Sequence, residues 1–171
     1  MELETTFKVK DVIDEDFVNY KKCSMFIATS ICNFKCEHED NEISCQNSKI
    51  VKQKTIEVKI DELINRFDKS MSKAIVFGGL EPFDQFKELI SFIVKFRSTK
   101  HKQDIVIYTG YTEEEICKIK LNDKNIFDII GDYFLSPIII KFGRYKSNLP
   151  KRHDDILGVT LISDNQYAKI F

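Results

Sequence analysis

Three cysteines stand close together, Cys32, Cys36 and Cys45, in the spacing Cys-x3-Cys-x8-Cys. Three thiolates on one loop can hold a metal centre and leave one position on it open. Further along comes Gly78-Gly79-Leu80-Glu81-Pro82, a glycine-rich turn carrying one carboxylate. Such a turn can hold a small ligand against the open position, because glycine lets backbone approach and the carboxylate is a charged acceptor. The residues alone leave three readings of the thiols. Thiolates suit an iron–sulfur cluster. With His38 as a fourth ligand they would make a Cys3His zinc site, although no second cysteine pair follows as in a zinc knuckle. Unrelated buried thiols are the plain alternative, but residues 37–42 (Glu-His-Glu-Asp-Asn-Glu) are too polar for a core. Cys23 and Cys117 fall outside the ligand spacing and read as packed or incidental thiols.

These residues need elements to place them. Ser24 to Thr29 is a short apolar run that leads into Cys32 and reads as a buried strand. Residues 58–68 read as a helix, with Leu63, Ile64 and Phe67 on one face and Asp61 and Glu62 in the first turn. Ala74-Ile75-Val76-Phe77 is continuous apolar sequence ending at Gly78-Gly79, as in a central parallel strand. Residues 84–96 carry a helical stripe of Phe86, Leu89, Ile90, Ile93 and Val94. Asp104 to Tyr108 is another buried strand, ending at Thr109-Gly110-Tyr111, and Thr112 with Glu115 forms a capping box that opens a helix. Residues 127–134, 138–142 and 159–162 are read as further strands. Alternating strands and helices imply βαβ units around a parallel sheet, with the ligand site at the strands' carboxyl ends. Cys32, the Gly-Gly turn and Thr109-Gly110-Tyr111 each follow a strand, so three strand ends point at one site.

The bulk numbers exclude more than they assign. The chain has 171 residues, is 43% hydrophobic and 31% charged, and has a formal net charge of -1. That suits one domain with a real core and offers no global electrostatic case for nucleic acid. The acidic start, Met1-Glu2-Leu3-Glu4, carries no apolar run, so no signal peptide is expected. No stretch is apolar and long enough to span a bilayer. A cytoplasmic protein with reduced or metal-bound cysteines is therefore expected.

The ordered motifs resemble those of radical S-adenosylmethionine enzymes. Cys32-Asn33-Phe34-Lys35-Cys36 resembles their Cys-x3-Cys opening, and Gly78-Gly79-Leu80-Glu81-Pro82-Phe83 resembles their Gly-Gly-Glu-Pro turn. Tyr108-Thr109-Gly110-Tyr111-Thr112 and the Ser163-Asp164-Asn165-Gln166 stretch are similar to segments of one subgroup, the activating enzymes of anaerobic (class III) ribonucleoside-triphosphate reductase. The similarity runs over about residues 20–171. Two features depart from the family pattern. Its second cysteine gap is x2 where this chain has x8, and Leu80 interrupts the Gly-Gly-Glu-Pro turn. A longer loop between ligands adds little closure entropy.

The resemblance implies a single domain over 1–171 (core about 20–171), built as a small partial (β/α) barrel with mainly parallel strands. It implies a 4Fe–4S cluster on Cys32, Cys36 and Cys45, whose open iron is chelated by S-adenosylmethionine. Gly78, Gly79 and Glu81 would meet the methionyl amine, and Thr109 and Tyr111 would line the methionyl or adenosyl part. Phe34 would shield the cluster, and Asn165 would hydrogen-bond the cofactor. The implied reaction is reductive cleavage to a 5′-deoxyadenosyl radical that takes hydrogen from a glycine of the partner reductase. The implied partners are that large glycyl-radical subunit and an electron donor such as flavodoxin or ferredoxin, with no membrane and no nucleic acid. Two alternatives remain beside it: a small-molecule radical enzyme such as a 7-carboxy-7-deazaguanine synthase, and a non-enzymatic iron–sulfur or zinc module. Lys141, Arg144, Lys146, Lys151 and Arg152 form a mild basic patch, read as a solvated face or as a binder of the cofactor carboxylate or an acidic partner. His101 and His153 read as exposed.

Overall fold

The structure is a computed structural model that describes residues 4–36, 45–121, 123–131 and 136–171. Beside a separate short pair, β6 (Lys120–Leu121) with β7 (Lys124–Asn125), a seven-stranded sheet organises it, in the edge-to-edge order Tyr167–Ile170, Ile138–Phe142, Asp104–Tyr108, Ala74–Gly79, Ser24–Thr29, Thr6–Asp16 and Ile56–Lys59. Its centre is four parallel strands: β2 (Ser24–Thr29), β4 (Ala74–Gly79), β5 (Asp104–Tyr108) and β8 (Ile138–Phe142). The flanks are antiparallel: β1 (Thr6–Asp16) pairs with β2 and with β3 (Ile56–Lys59), and β11 (Tyr167–Ile170) pairs with β8. Four apolar runs of the sequence became these central strands because their side chains meet packed elements on both faces.

On one face, Met25, Ile27, Ile75, Phe77, Ile105, Ile107, Ile138 and Ile140 join one large core with the helices. The helices there are α2 (Ile60–Lys69), α3 (Phe86–Ser98) and α5 (Ile126–Gly131). Phe77 sits at its middle, stacked on Phe7 at 5.7 Å and edge-on to Phe92 at 5.1 Å. Such aromatic pairs add about 0.5–1.5 kcal/mol each beyond the area they bury. The other face is built of smaller residues, Ala74, Val76 and Val106, and meets Tyr20, Leu157 and Leu161. A hairpin of β9 (Arg152–Asp154) and β10 (Val159–Leu161) contributes to that cover.

Several expectations are corrected. The sheet is open and mixed, with half of its pairings antiparallel, and no closed barrel forms among the described residues. Two of the three antiparallel pairings come from β1, whose lysines and aspartates hide a half-buried strand: Phe7 and Val9 point into the core while Lys8 does not. Residues 126–131 form helix α5 where a strand was expected. Ile126, Ile129 and Ile130 recur at i, i+3 and i+4, and the Asn125 side chain accepts the Phe127 N–H at 2.8 Å in the first turn. Phe134, the end of that expected strand, lies outside the described residues. The helix expected from 58 starts at Ile60, because Val58 pairs with Phe7 in β3. The helix expected from 84 starts as a 3-10 turn, Pro82–Gln85, with proline at its first position. His101 is tucked rather than exposed: it stacks on Phe96 at 4.3 Å and its Nε2 meets Asp68 at 2.7 Å.

Candidate metal and cofactor site

The four parallel strands deliver their carboxyl ends side by side. Thr29 lies across from Gly79 and Tyr108 across from Lys141. Hydrogen bonds carry the pairing past the strand ends: Leu80 N–H to Thr29 O, Glu81 N–H to Ile31 O, Thr109 N–H to Lys141 O and Gly143 N–H to Tyr111 O. A cavity of about 370 Å³ opens there. That is large enough for a drug-sized ligand. Its wall includes Cys32, Cys36, Cys45, Gly78, Gly79, Leu80, Glu81, Thr109, Lys141 and Gln166. The three strand ends marked in the sequence therefore converge, and a fourth, at Lys141, joins them.

Gly79 holds φ +82, and a Cβ there would stand 2.8 Å from the Ala28 Cα. A Cβ on Gly78 would stand 2.8 Å from the Phe26 ring. Glycine is thus required at Gly79, where β4 lies against the β2 backbone, while at Gly78 a side chain would have to displace the Phe26 ring. The Gly78 carbonyl accepts the Thr29 hydroxyl at 3.0 Å, and the Gly79 carbonyl accepts the Asn47 amide. Asn47 precedes the short helix α1 (Ser48–Val51) and so pins the segment after Cys45 to the turn. The Lys10 ammonium holds the far end of that segment through the carbonyls of Val51 and Gln53.

Glu81 is 7% exposed and well supplied with donors. Its Oε1 accepts the Phe83 N–H at 3.1 Å and the Thr109 hydroxyl at 2.7 Å, and its Oε2 accepts the Gly110 N–H at 2.8 Å. A carboxylate offers about four acceptor sites, so Oε2 keeps one more. Burial pushes the Glu81 carboxyl up to about 7, against the pull of these three donors. Lys141 is also 7% exposed and donates to the Gly143 carbonyl at 3.1 Å. That is one bond, among the described residues, for an ammonium with three donors. Burial pulls Lys141 down to about 8, partly offset by the Glu81 charge. The sequence pattern gave a signal: this lysine sits inside Ile138-Ile139-Ile140-Lys141-Phe142, where an all-buried strand leaves no solvated face.

The five cysteines are thiols. Burial pushes the Cys32 thiol up to about 12; the Phe34 N–H, 3.3 Å from its Sγ, opposes this and the carboxylates of Glu81 and Asp84 add to it. Among the described residues no three His, Cys, Asp or Glu side chains are gathered closely enough to hold a metal ion. Cys32, Cys36 and Cys45 nonetheless face one cavity. Three soft thiol donors on one wall, with hydrogen-bonding groups opposite, fit an iron–sulfur cluster by ligand chemistry. Cys23 stands at the opposite end of β2, near the Ser72 hydroxyl at 3.8 Å, and Cys117 is exposed on α4 (Glu113–Cys117). His38 and residues 37–42 lie outside the described residues.

Of the other expected site residues, Thr109 lines the cavity, whereas Phe34, Tyr111 and Asn165 are not among the residues of its wall. Thr109 orients Glu81, while its Oγ1 also accepts the Tyr111 N–H at 3.0 Å. Tyr111 turns to Asp84, to which its hydroxyl donates at 2.6 Å. Phe34 adopts φ 56 between the first two cysteines. Asn165 lines an adjoining cavity of about 250 Å³, and its amide donates to the Arg144 carbonyl at 2.9 Å. Its neighbour Gln166 faces the main cavity and donates to the Gly143 carbonyl at 3.1 Å. Of the basic patch, Lys141 and Arg144 border the main cavity.

Thiols at the carboxyl ends of parallel strands suit an iron–sulfur protein of the α/β class by ligand type. Residues 21–158 match the family described as 4Fe-4S single cluster domain, and the chain belongs to that family. A curated protein of Methanocaldococcus jannaschii, provisionally named a glycyl-radical enzyme activating enzyme, is 27% identical over 147 residues. The match covers 85% of this chain and 56% of that relative, so the chain spans a little over half the relative's length. No solved structure matches the chain. Among the described residues, no helix is long and apolar enough to cross a membrane.

Proposed function

We propose that the chain is a radical S-adenosylmethionine enzyme that holds its 4Fe–4S cluster through Cys32, Cys36 and Cys45 and serves as the activase of a glycyl-radical enzyme. The observation that carries this reading is the shared cavity, where three thiols face a Gly-Gly turn, a buried acid and a buried base. When bound, the cluster supplies the electron that cleaves the cofactor's sulfonium and releases a 5′-deoxyadenosyl radical. The chain's own residues bind and orient. Glu81, with an acceptor site to spare on Oε2, suits the methionyl ammonium, and the Lys141 ammonium suits the methionyl carboxylate. A buried acid and a buried base on one cavity wall match a zwitterion better than either charge alone. Thr109 and the Gly110 N–H keep Glu81 aimed, and Phe26 and Tyr108 give the cavity an apolar wall. Gly78 and Gly79 keep side chains out of the turn, Tyr111 holds Asp84 and Asn165 holds the Arg144 carbonyl.

The activase reading draws on the relative's provisional name and on the Tyr108–Thr112 and Ser163–Gln166 stretches. The partner it favours is an anaerobic ribonucleoside-triphosphate reductase, with a small flavin or iron–sulfur protein as electron donor. Electron paramagnetic resonance on the reduced, reconstituted protein tests the reading. The cluster signal should change when S-adenosylmethionine is added, and that response should weaken in Lys141→Met while the iron content holds. Iron should be lost in Cys45→Ala and kept in Cys117→Ala. A cluster signal indifferent to the cofactor would leave an electron carrier as the better reading. Absence of a glycyl radical on the reductase, with an active cofactor response, would redirect the search to a small-molecule substrate.

A further inference from the structure

The first two thiols sit on a segment that contains a strained residue. Phe34 holds φ 56, left-handed backbone that a bulky side chain rarely adopts. Its N–H donates to the Cys32 Sγ at 3.3 Å. Strain of this kind persists only where neighbouring contacts over-determine it. Both neighbours are tied down. The Asn33 backbone N–H donates to Asp84 Oδ2 at 2.7 Å, and the Asn33 amide reaches Oδ1 at 3.3 Å. The Lys35 ammonium donates to Glu115 Oε1 at 2.9 Å. Each carboxylate is itself held from behind. The Tyr111 hydroxyl donates to Asp84 Oδ1, and the Arg144 guanidinium grips Glu115 with two bonds of 2.9 and 2.8 Å. Asp84 sits in the 3-10 turn straight after Glu81, so it reports the position of the Gly-Gly turn to the cysteine segment.

We propose that Asp84 is a positioning residue for the cluster: it docks the Cys32–Cys36 segment onto the cofactor turn, through Asn33, before any metal arrives. The metal part of the proposal rests on the function proposed above; the docking does not. Groups that fix metal ligands from behind typically change metal affinity about 10–100-fold when removed. They also account for how ligands can stay placed across an x8 gap: Asp84 holds the segment before the gap, and Asn47 holds the segment after it.

Two readouts on wild type, Asp84→Ala and Asp84→Asn test this. The first is amide hydrogen exchange on the metal-free protein. Asp84→Ala should speed exchange of the Asn33–Cys36 amides about tenfold and leave the β4 and β5 amides unchanged, which shows that the fold is intact. Asp84→Asn, which keeps one acceptor oxygen, should recover part of the protection. The second is the rate of iron loss to a chelator from the reconstituted protein, which should rise about 10–100-fold in Asp84→Ala. Unchanged exchange in a folded Asp84→Ala overturns the proposal, as does unchanged iron loss from a protein that holds a cluster. If exchange quickens but wild type takes up no iron, the docking stands and the proposed function fails.

Discussion

Glu81 sets a pH dependence that can be separated from the rest of the protein. Burial raises its carboxyl from the usual 4.5 to about 7. Between those values the folded protein keeps a proton that the unfolded chain has released. Proton binding is then greater in the native state, so stability falls as pH rises through this window. The contribution is fully present below about 4.5 and gone above about 7. The gap between the two values, at about 1.4 kcal/mol per pH unit, amounts to about 3 kcal/mol. Glutamine has the shape of the acid but never ionises, so Glu81→Gln removes this dependence. It also removes an acceptor, leaving a donor such as the Gly110 N–H unpaired at a cost of about 1–3 kcal/mol at every pH. The variant should therefore be less stable than the native protein at pH 5, and the deficit should shrink by about 2.5 kcal/mol by pH 8, the part of the gap that lies inside this range. Urea unfolding of the reduced, metal-free proteins across that range measures it. Taking the difference between the two proteins cancels the titration of groups that do not feel the Glu81 charge; Lys141, which does, titrates near the upper end of the range. A difference that stays constant within about 0.5 kcal/mol from pH 5 to 8 refutes the reasoning, because such a residual is within ordinary surface-mutation effects.

Two further outcomes are expected. Gly79→Ala combines φ +82 with a Cβ placed 2.8 Å from the Ala28 backbone, so chemical unfolding should show a loss of about 1–3 kcal/mol. Thr112→Ala removes the hydroxyl that accepts the Glu115 N–H at 3.2 Å and breaks the capping box, and a loss of about 1 kcal/mol in the same assay is expected.

Where chemistry and pattern are local, the sequence could be read directly. Asp104 to Tyr108 is a strand with the limits its apolar run suggests, and the Thr112 capping box opens α4 as its spacing implies. Isoleucines at 126, 129 and 130 carried a helical period that a strand reading overlooked, because a short apolar run fits either element. The first strand was hidden for a different reason. Its partner-facing alternation is masked by Lys8, Lys10, Asp11 and Asp14, which an antiparallel strand can turn to solvent. Lys141 had two readings, solvated charge or a binder of the cofactor carboxylate or an acidic partner; its packing in β8 removes the solvated one.

By itself, then, the chain determined the four central strands, the helices α2, α3 and α4, the glycines that end β4 and the presence of three clustered thiols. Each depends on residues a few positions apart, whose side-chain period and backbone freedom act before any tertiary contact. The tertiary structure alone decided that β1 enters the sheet between β2 and β3, that Glu81 meets Thr109 and Gly110, and that Lys141 joins the cavity. Those outcomes depend on which strands pair. The free energy of pairing is shared across the whole sheet, so no local stretch of sequence contains it.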